Sequence, residues 1–224
     1  MKKAISIFLC AVLLFSMCMS LTSCNSDAKS IIGQWTAEIN YAAAVNAGIH
    51  TSEGMKDIDD YFNFDEFYLT TTFTFFEDGT YTVELDSVSV FNAVQGIRGQ
   101  LSSGMRKYLA DEIKKAGLDI SVDSYLGMLG LNWITLGEKI VSDYALGKIA
   151  DELSKSTTGY YRVKDGKIYM TADTGTELTE ENYDTYTLEG DTLTLLECHC
   201  QQEEGFENVT KDIYPIVLKR NTAQ

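Results

Sequence analysis

TTFTFFEDGTYTVEL, residues 71–85, decides the fold. Phe73 and Phe75 alternate with Thr72 and Thr74 before Asp78-Gly79, and Tyr81, Val83 and Leu85 alternate after it. A period of two residues places one set of side chains on one face of a strand. Asp-Gly between two such runs is a strong hairpin signal, because a type I′ turn needs positive φ at both central residues. The shape returns in RVKDGKIYM (162–170) and in YTLEGDTLTLL (186–196), where Gly190-Asp191 suits a turn with glycine first.

Working outward, IIGQWTAEINY (31–41) sets Trp35, Ala37 and Ile39 against Gln34, Thr36 and Glu38. FYLTTTFTFF (67–76) puts Phe67, Leu69, Phe73 and Phe75 on one face. Further strands are expected at Gly159–Val163, Lys167–Thr171, Tyr183–Leu188, Thr192–Cys198 and Ile213–Arg220, which makes eight in all. Eight antiparallel strands remove their two exposed edges by closing, and that number encloses side chains or one small ligand. The expected class is mainly β with a helical insertion (α+β): an eight-stranded antiparallel barrel carrying an inserted helical segment.

Between residues 89 and 155 the period changes. Met105, Tyr108, Leu109, Ile113 and Ala116 recur at helical spacing and stop at Gly117; Val141, Ala145, Ile149 and Leu153 form a second run. Thr135 with Glu138 reads as a capping box at the start of that second run. Ser121–Leu131 reads as a third, short helix. Glycines 96, 99, 104, 127 and 130 weaken these helices, since a mid-helix glycine costs about 1 kcal/mol relative to alanine. The insertion is expected to pack on the strands. Ala42–Asn63 reads as irregular, with short helices, where a lid would sit.

The N-terminal MKKAISIFLCAVLLFSMCMSLTSC has Lys2 and Lys3 followed by an uncharged run from Ala4 to Ser23. That is the pattern of a secretory signal. Its apolar core is short for a membrane-spanning helix, which needs about 20 residues. Leu21-Thr22-Ser23-Cys24 resembles the bacterial lipobox, which implies that Cys24 is lipidated and becomes the N-terminus. Two acyl chains at about 0.8 kcal/mol per buried CH₂ anchor stably. The expected organisation is a lipoprotein signal over 1–23, a tether over 24–30, and one domain over 31–224. The protein is then lipid-anchored and extracytoplasmic, at the cell membrane or outer surface. The chain carries a net charge of −15, and losing Lys2 and Lys3 makes the balance more negative still. Such a surface argues against nucleic acid, which needs basic patches.

Gly33-Gln34-Trp35 at the first strand resembles the Gly-x-Trp of lipocalins, and Leu218-Lys219-Arg220 resembles their last strand. The resemblance implies that Arg220 or Lys219 covers Trp35 through a cation–π contact. IIGQWTAEI, FTFFEDGTYTVEL, GYYRVKDGKIYM, YTLEGDTLTLL and IYPIVLKR together resemble lipocalin-like lipoproteins of gut-type anaerobic bacteria. The resemblance covers both ends of the chain and skips the helical insertion. It implies a lipocalin-like barrel and a location, and no assigned activity.

Cys198-His199-Cys200 is the most conspicuous constellation. In a strand the cysteines share a face and His199 takes the other, so the three do not converge on one metal, and four ligands are the structural-zinc norm. Partly buried free thiols are expected; a Cys198–Cys200 disulfide is sterically possible but strained. Acidic clusters at Asp57-Asp59-Asp60, Asp65-Glu66 and 173–191 lack the calcium-loop pattern and read as solvated loops. No metal or cofactor is expected. With two histidines, no G-x-S-x-G and no phosphate-binding glycine loop, no catalytic residue is assigned and the protein is expected not to be an enzyme. A paired-carboxylate hydrolase acting on carbohydrate is the lesser alternative. Phe73, Phe75, Tyr81, Tyr161 and Tyr186 are the candidate ligand-binding residues, with plain core packing as the competing reading. The expected partners are the membrane through the anchor and a small apolar or amphipathic molecule. An envelope protein bound by the helical insertion to a solid-cored scaffold is the alternative.

Overall fold

The computed structural model describes residues 31–51, 58–140, 143–171, 178–200 and 209–221. Strands β1 (Gly33–Asn40), β2 (Tyr68–Phe75), β3 (Thr80–Leu85), β4 (Thr157–Lys164), β5 (Lys167–Met170), β6 (Tyr183–Glu189), β7 (Thr192–His199) and β8 (Ile216–Arg220) form one closed barrel in sequence order. Every neighbouring pair is antiparallel, and β1 closes on β8 with Trp35 opposite Arg220 and Thr36 opposite Lys219. The expected fold class is the observed one.

The alternation read in the sequence is the alternation of burial. On β2, Leu69, Thr71, Phe73 and Phe75 are buried while Thr70, Thr72 and Thr74 are half-buried. Trp35, Ala37 and Ile39 of β1, Val163 of β4, Ile168 of β5, Leu193 and Leu195 of β7, and Leu218 of β8 join them in one core. Each large apolar side chain so buried contributes about 1.5–3 kcal/mol relative to exposure.

The three hairpins use different turns. At Asp165-Gly166 both residues have positive φ, 53° and 71°, as a type I′ turn requires. At Asp78-Gly79 only Gly79 does, and the turn is longer: Gly79 N–H donates to the Phe76 carbonyl, and Asp78 Oδ1 accepts from the Thr80 N–H and hydroxyl. Gly190-Asp191 is a two-residue loop between paired Glu189 and Thr192, with glycine first at φ 58°.

Because successive connections in such a barrel alternate between its ends, these three hairpins share one end. The long connections β1–β2, β3–β4, β5–β6 and β7–β8 share the other, termed the mouth. Helix α1 (Ala42–His50) stands there, with Ala42, Ala44 and Val45 in the core. It is tied to the segment before β2 by Asn46, whose amide donates to the Phe64 carbonyl and accepts from the Phe64 N–H. A 3₁₀ turn (Asp59–Tyr61) completes this connection.

The insertion begins with α2 (Ser87–Lys115), one continuous helix of 29 residues capped by Asp86, whose side chain accepts from Ser89 N–H. Its first turns place Val90, Val94 and Ile97 in the barrel's core. Gly104 is required for packing: a Cβ there would strike the Tyr61 carbonyl and the Phe62 ring. Helices α3 (Val122–Met128), α4 (Trp133–Ile140) and α5 (Asp143–Leu153) follow, and Leu153 joins the same core.

Two local expectations are corrected. The reciprocal cap at α4 joins Asn132 and Thr135: Thr135 N–H donates to Asn132 Oδ1 and Asn132 N–H donates to Thr135 Oγ1. Thr135 thus closes the box as the third residue of the helix, and the helix starts earlier than the Thr135–Glu138 reading placed it. The last strand begins at Ile216 rather than Ile213, because Val209–Ile213 forms a helical turn, α6, and Pro215 has no N–H for a ladder.

Candidate functional site

The five aromatic candidates fall into a cluster of four and one apart. Phe73, Phe75 and Tyr81 are at most 2% exposed, and Tyr161 is 8% exposed. The Phe75 ring meets Tyr161 edge-on at 4.9 Å, Tyr81 at 6.2 Å and Phe73 at 6.4 Å. Their inward faces therefore pack on each other at the hairpin end, and the Tyr161 hydroxyl donates to the Phe76 carbonyl at 2.8 Å. Gly159, opposite Tyr81, makes this possible, since a Cβ there would strike the Thr171 carbonyl and crowd the Tyr81 ring. Tyr186 is half-buried and packs on the core from β6. It shares its face with Asp184 and Leu188, while Val83 and Leu85 share the face of Tyr81 on β3. These four apolar residues, Val83, Leu85, Tyr186 and Leu188, keep part of their surface uncovered.

A second set of inward groups was not legible in the sequence, and it is polar. Asp184 on β6 is 4% exposed. The Tyr214 hydroxyl donates to its Oδ1 at 2.9 Å, and its other oxygen has no hydrogen-bond partner among the described residues. Burial pushes the Asp184 carboxyl up to about 7, and Tyr214 lowers it only in part. Burial and the charge of Asp184 raise both Tyr214 and Tyr81 above the ordinary phenol range. Tyr41, just past β1, is raised by burial, and its hydroxyl lies 3.2 Å from that of Thr71. The Tyr81 hydroxyl donates to the Thr171 carbonyl. The inward parity of Asp184 with Tyr186 and Leu188 was the one signal that could have found it. Tyr41 and Tyr214 lie outside the strands, where alternation says nothing.

Cys198 and Cys200 are joined in a disulfide, which corrects the expectation of free thiols. Cys198 is directly opposite Asp184 on β6. His199 takes the other face, as period two requires, and stacks on Tyr183 at 4.6 Å. The other histidine, His50, pairs with Asp59 at 2.8 Å on a separate connection. Among the described residues no three His, Cys, Asp or Glu side chains are grouped to hold a metal. Cys24 lies outside the described residues, as do Asp57 and the start of the acidic stretch, residues 173–177.

No protein-family model matches this chain, and neither a curated protein nor a solved structure matches it. The geometry itself defines a class: a closed, eight-stranded antiparallel barrel with helices gathered at its mouth, consistent with a lipocalin-like fold. Arg220 Cζ lies 4.0 Å from the centroid of the Trp35 ring, so the arginine takes the role that the first- and last-strand motifs implied.

Proposed function

We propose that this protein is a non-enzymatic, lipid-anchored extracytoplasmic lipoprotein that binds a small apolar or amphipathic molecule in its barrel. One observation carries the reading: a closed barrel whose inward faces are largely aromatic and aliphatic, with a buried carboxyl, Asp184, and its phenol partner Tyr214 at the connected end. An elongated ligand would lay its apolar body along Val83, Leu85, Tyr186 and Leu188 and turn its polar end toward Tyr41, Thr71 and Tyr214. The lipobox-like Leu21–Cys24 supports the anchor. Since β1 enters the barrel at the hairpin end, an anchor on Cys24 would join the domain at that end. Native mass spectrometry of the protein purified from its own host tests this reading. A co-purifying small molecule is expected, and a bare polypeptide mass would count against it.

A second reading, an envelope interaction protein, is favoured by the apolar surface of the insertion. Val88, Phe91, Met128, Leu129 and Ile134 are all more than half exposed. Its test is co-purification of an envelope protein that is lost when Met128, Leu129 and Ile134 are replaced by serine. An unchanged partner set would count against it.

A further inference from the structure

We propose that the molecule bound in the barrel carries a protonated amine, and that Asp184 receives this amine at the mouth. The inference rests on the ligand-binding reading above and names the chemistry of the ligand's polar end.

Asp184 is a carboxyl taken out of water, and no cation among the described residues is paired with it. Among the described residues the groups around it are phenols: Tyr214 in direct hydrogen bond, Tyr81 near enough to feel its charge, and Tyr41 beside Tyr214. Across the ladder it faces the uncharged Cys198–Cys200 disulfide. The nearby basic side chains of β4 and β5 are engaged elsewhere. Arg162 and Lys164 both reach Glu180, and Lys167 lies over the Tyr183 ring at 3.7 Å. A buried carboxylate without a paired cation is unfavourable, and it is far less so once a cation is supplied.

The rest of the cluster points the same way. Phenol oxygens accept hydrogen bonds from an ammonium, and aromatic faces attract cations. No described residue of the cluster offers a positive charge to a carboxylate or phosphate head, and Asp184 would repel one. The chain's net charge of −15 raises the local concentration of cations and lowers that of anions. An aliphatic chain ending in an amine satisfies both the apolar wall and the open oxygen of Asp184. A fatty acid satisfies only the first. Binding an ammonium also favours the ionised carboxyl, so below neutral pH the ligand should displace the proton that burial holds there.

Titration calorimetry with three probes of equal chain length, dodecylamine, dodecanol and dodecanoate, tests this. The expected order is amine tightest, alcohol next and carboxylate weakest, with the amine about tenfold or more ahead of the alcohol. Asp184→Asn should abolish the lead of the amine over the alcohol while leaving alcohol binding in place. In the unaltered protein, buffers of different ionisation enthalpy should show proton release with the amine at pH 6 and its loss at pH 8. Equal binding of amine and alcohol, or no proton release at pH 6, would overturn the amine while leaving the barrel as a ligand site. Failure of all three probes to bind would overturn both.

Discussion

Arg220 lies over Trp35 across the seam where the last strand closes on the first. The two are register partners, the guanidinium carbon is 4.0 Å from the ring centroid, and Arg220 also donates to the Ile32 carbonyl at 2.8 Å. The Trp35 indole N–H donates to the Ile31 carbonyl at 2.7 Å, so the residues entering the barrel are held from both sides. Replacing Arg220 by methionine keeps some packing and removes the cation and its donors. The expected loss is about 1–2 kcal/mol, read from urea denaturation followed by tryptophan fluorescence. An unchanged midpoint would show that the seam does not depend on this pair.

Gly159 should tolerate no side chain. Gly159→Ala drives a methyl into the Thr171 carbonyl and the Tyr81 ring, and the Thr171 backbone, just past β5, has no rotamer with which to yield. Destabilisation of about 3 kcal/mol or more, or failure to fold, is expected in thermal or urea unfolding.

The glycines of α2 should divide. Gly96 and Gly99 face open space, so alanine at either should stabilise by up to about 1 kcal/mol through helix propensity. Gly104→Ala should destabilise instead, because it pushes the 3₁₀ turn at Tyr61 and Phe62 off the helix. Equal effects at all three positions would contradict the packing of this connection against α2.

Asp184 should leave its mark on the pH dependence of stability. Its folded-state carboxyl titrates at about 7, raised by burial above an unfolded value of about 3.9. The folded state then binds the extra proton between these values, so its contribution is full below about pH 4 and is lost as pH rises through 7. Asp184→Asn should flatten that decline and gain on the order of 2–4 kcal/mol over the unaltered protein at pH 8. Parallel curves from pH 4 to 8 would contradict the buried carboxyl.

Much of the barrel was legible because its signals are local. Alternation through residues 71–85, the Asp-Gly and Gly-Asp turns, and the Gly-x-Trp start each depend on neighbours in sequence. The closing contact of Trp35 with Arg220 came from resemblance, since alternation alone pairs no distant strands. Local competition explains two misses: Asn132 outbids Thr135 as the first cap of α4, and Pro215 interrupts what reads as a continuous last strand. The single long α2 overrides its glycines because tertiary packing at Gly104 and in the core holds it. The mouth cluster was illegible for a different reason. Tyr41, Thr71, Asp184 and Tyr214 come from four separate parts of the chain, and only barrel closure brings them together.

The most direct test of ligand binding is a crystal structure of the protein purified from its own host without added ligand. The account predicts continuous density for a small elongated molecule beside Val83, Leu85, Tyr186 and Leu188, with its polar end toward the Asp184–Tyr214 pair. A barrel in which those side chains close on one another and leave no room for a ligand would contradict it.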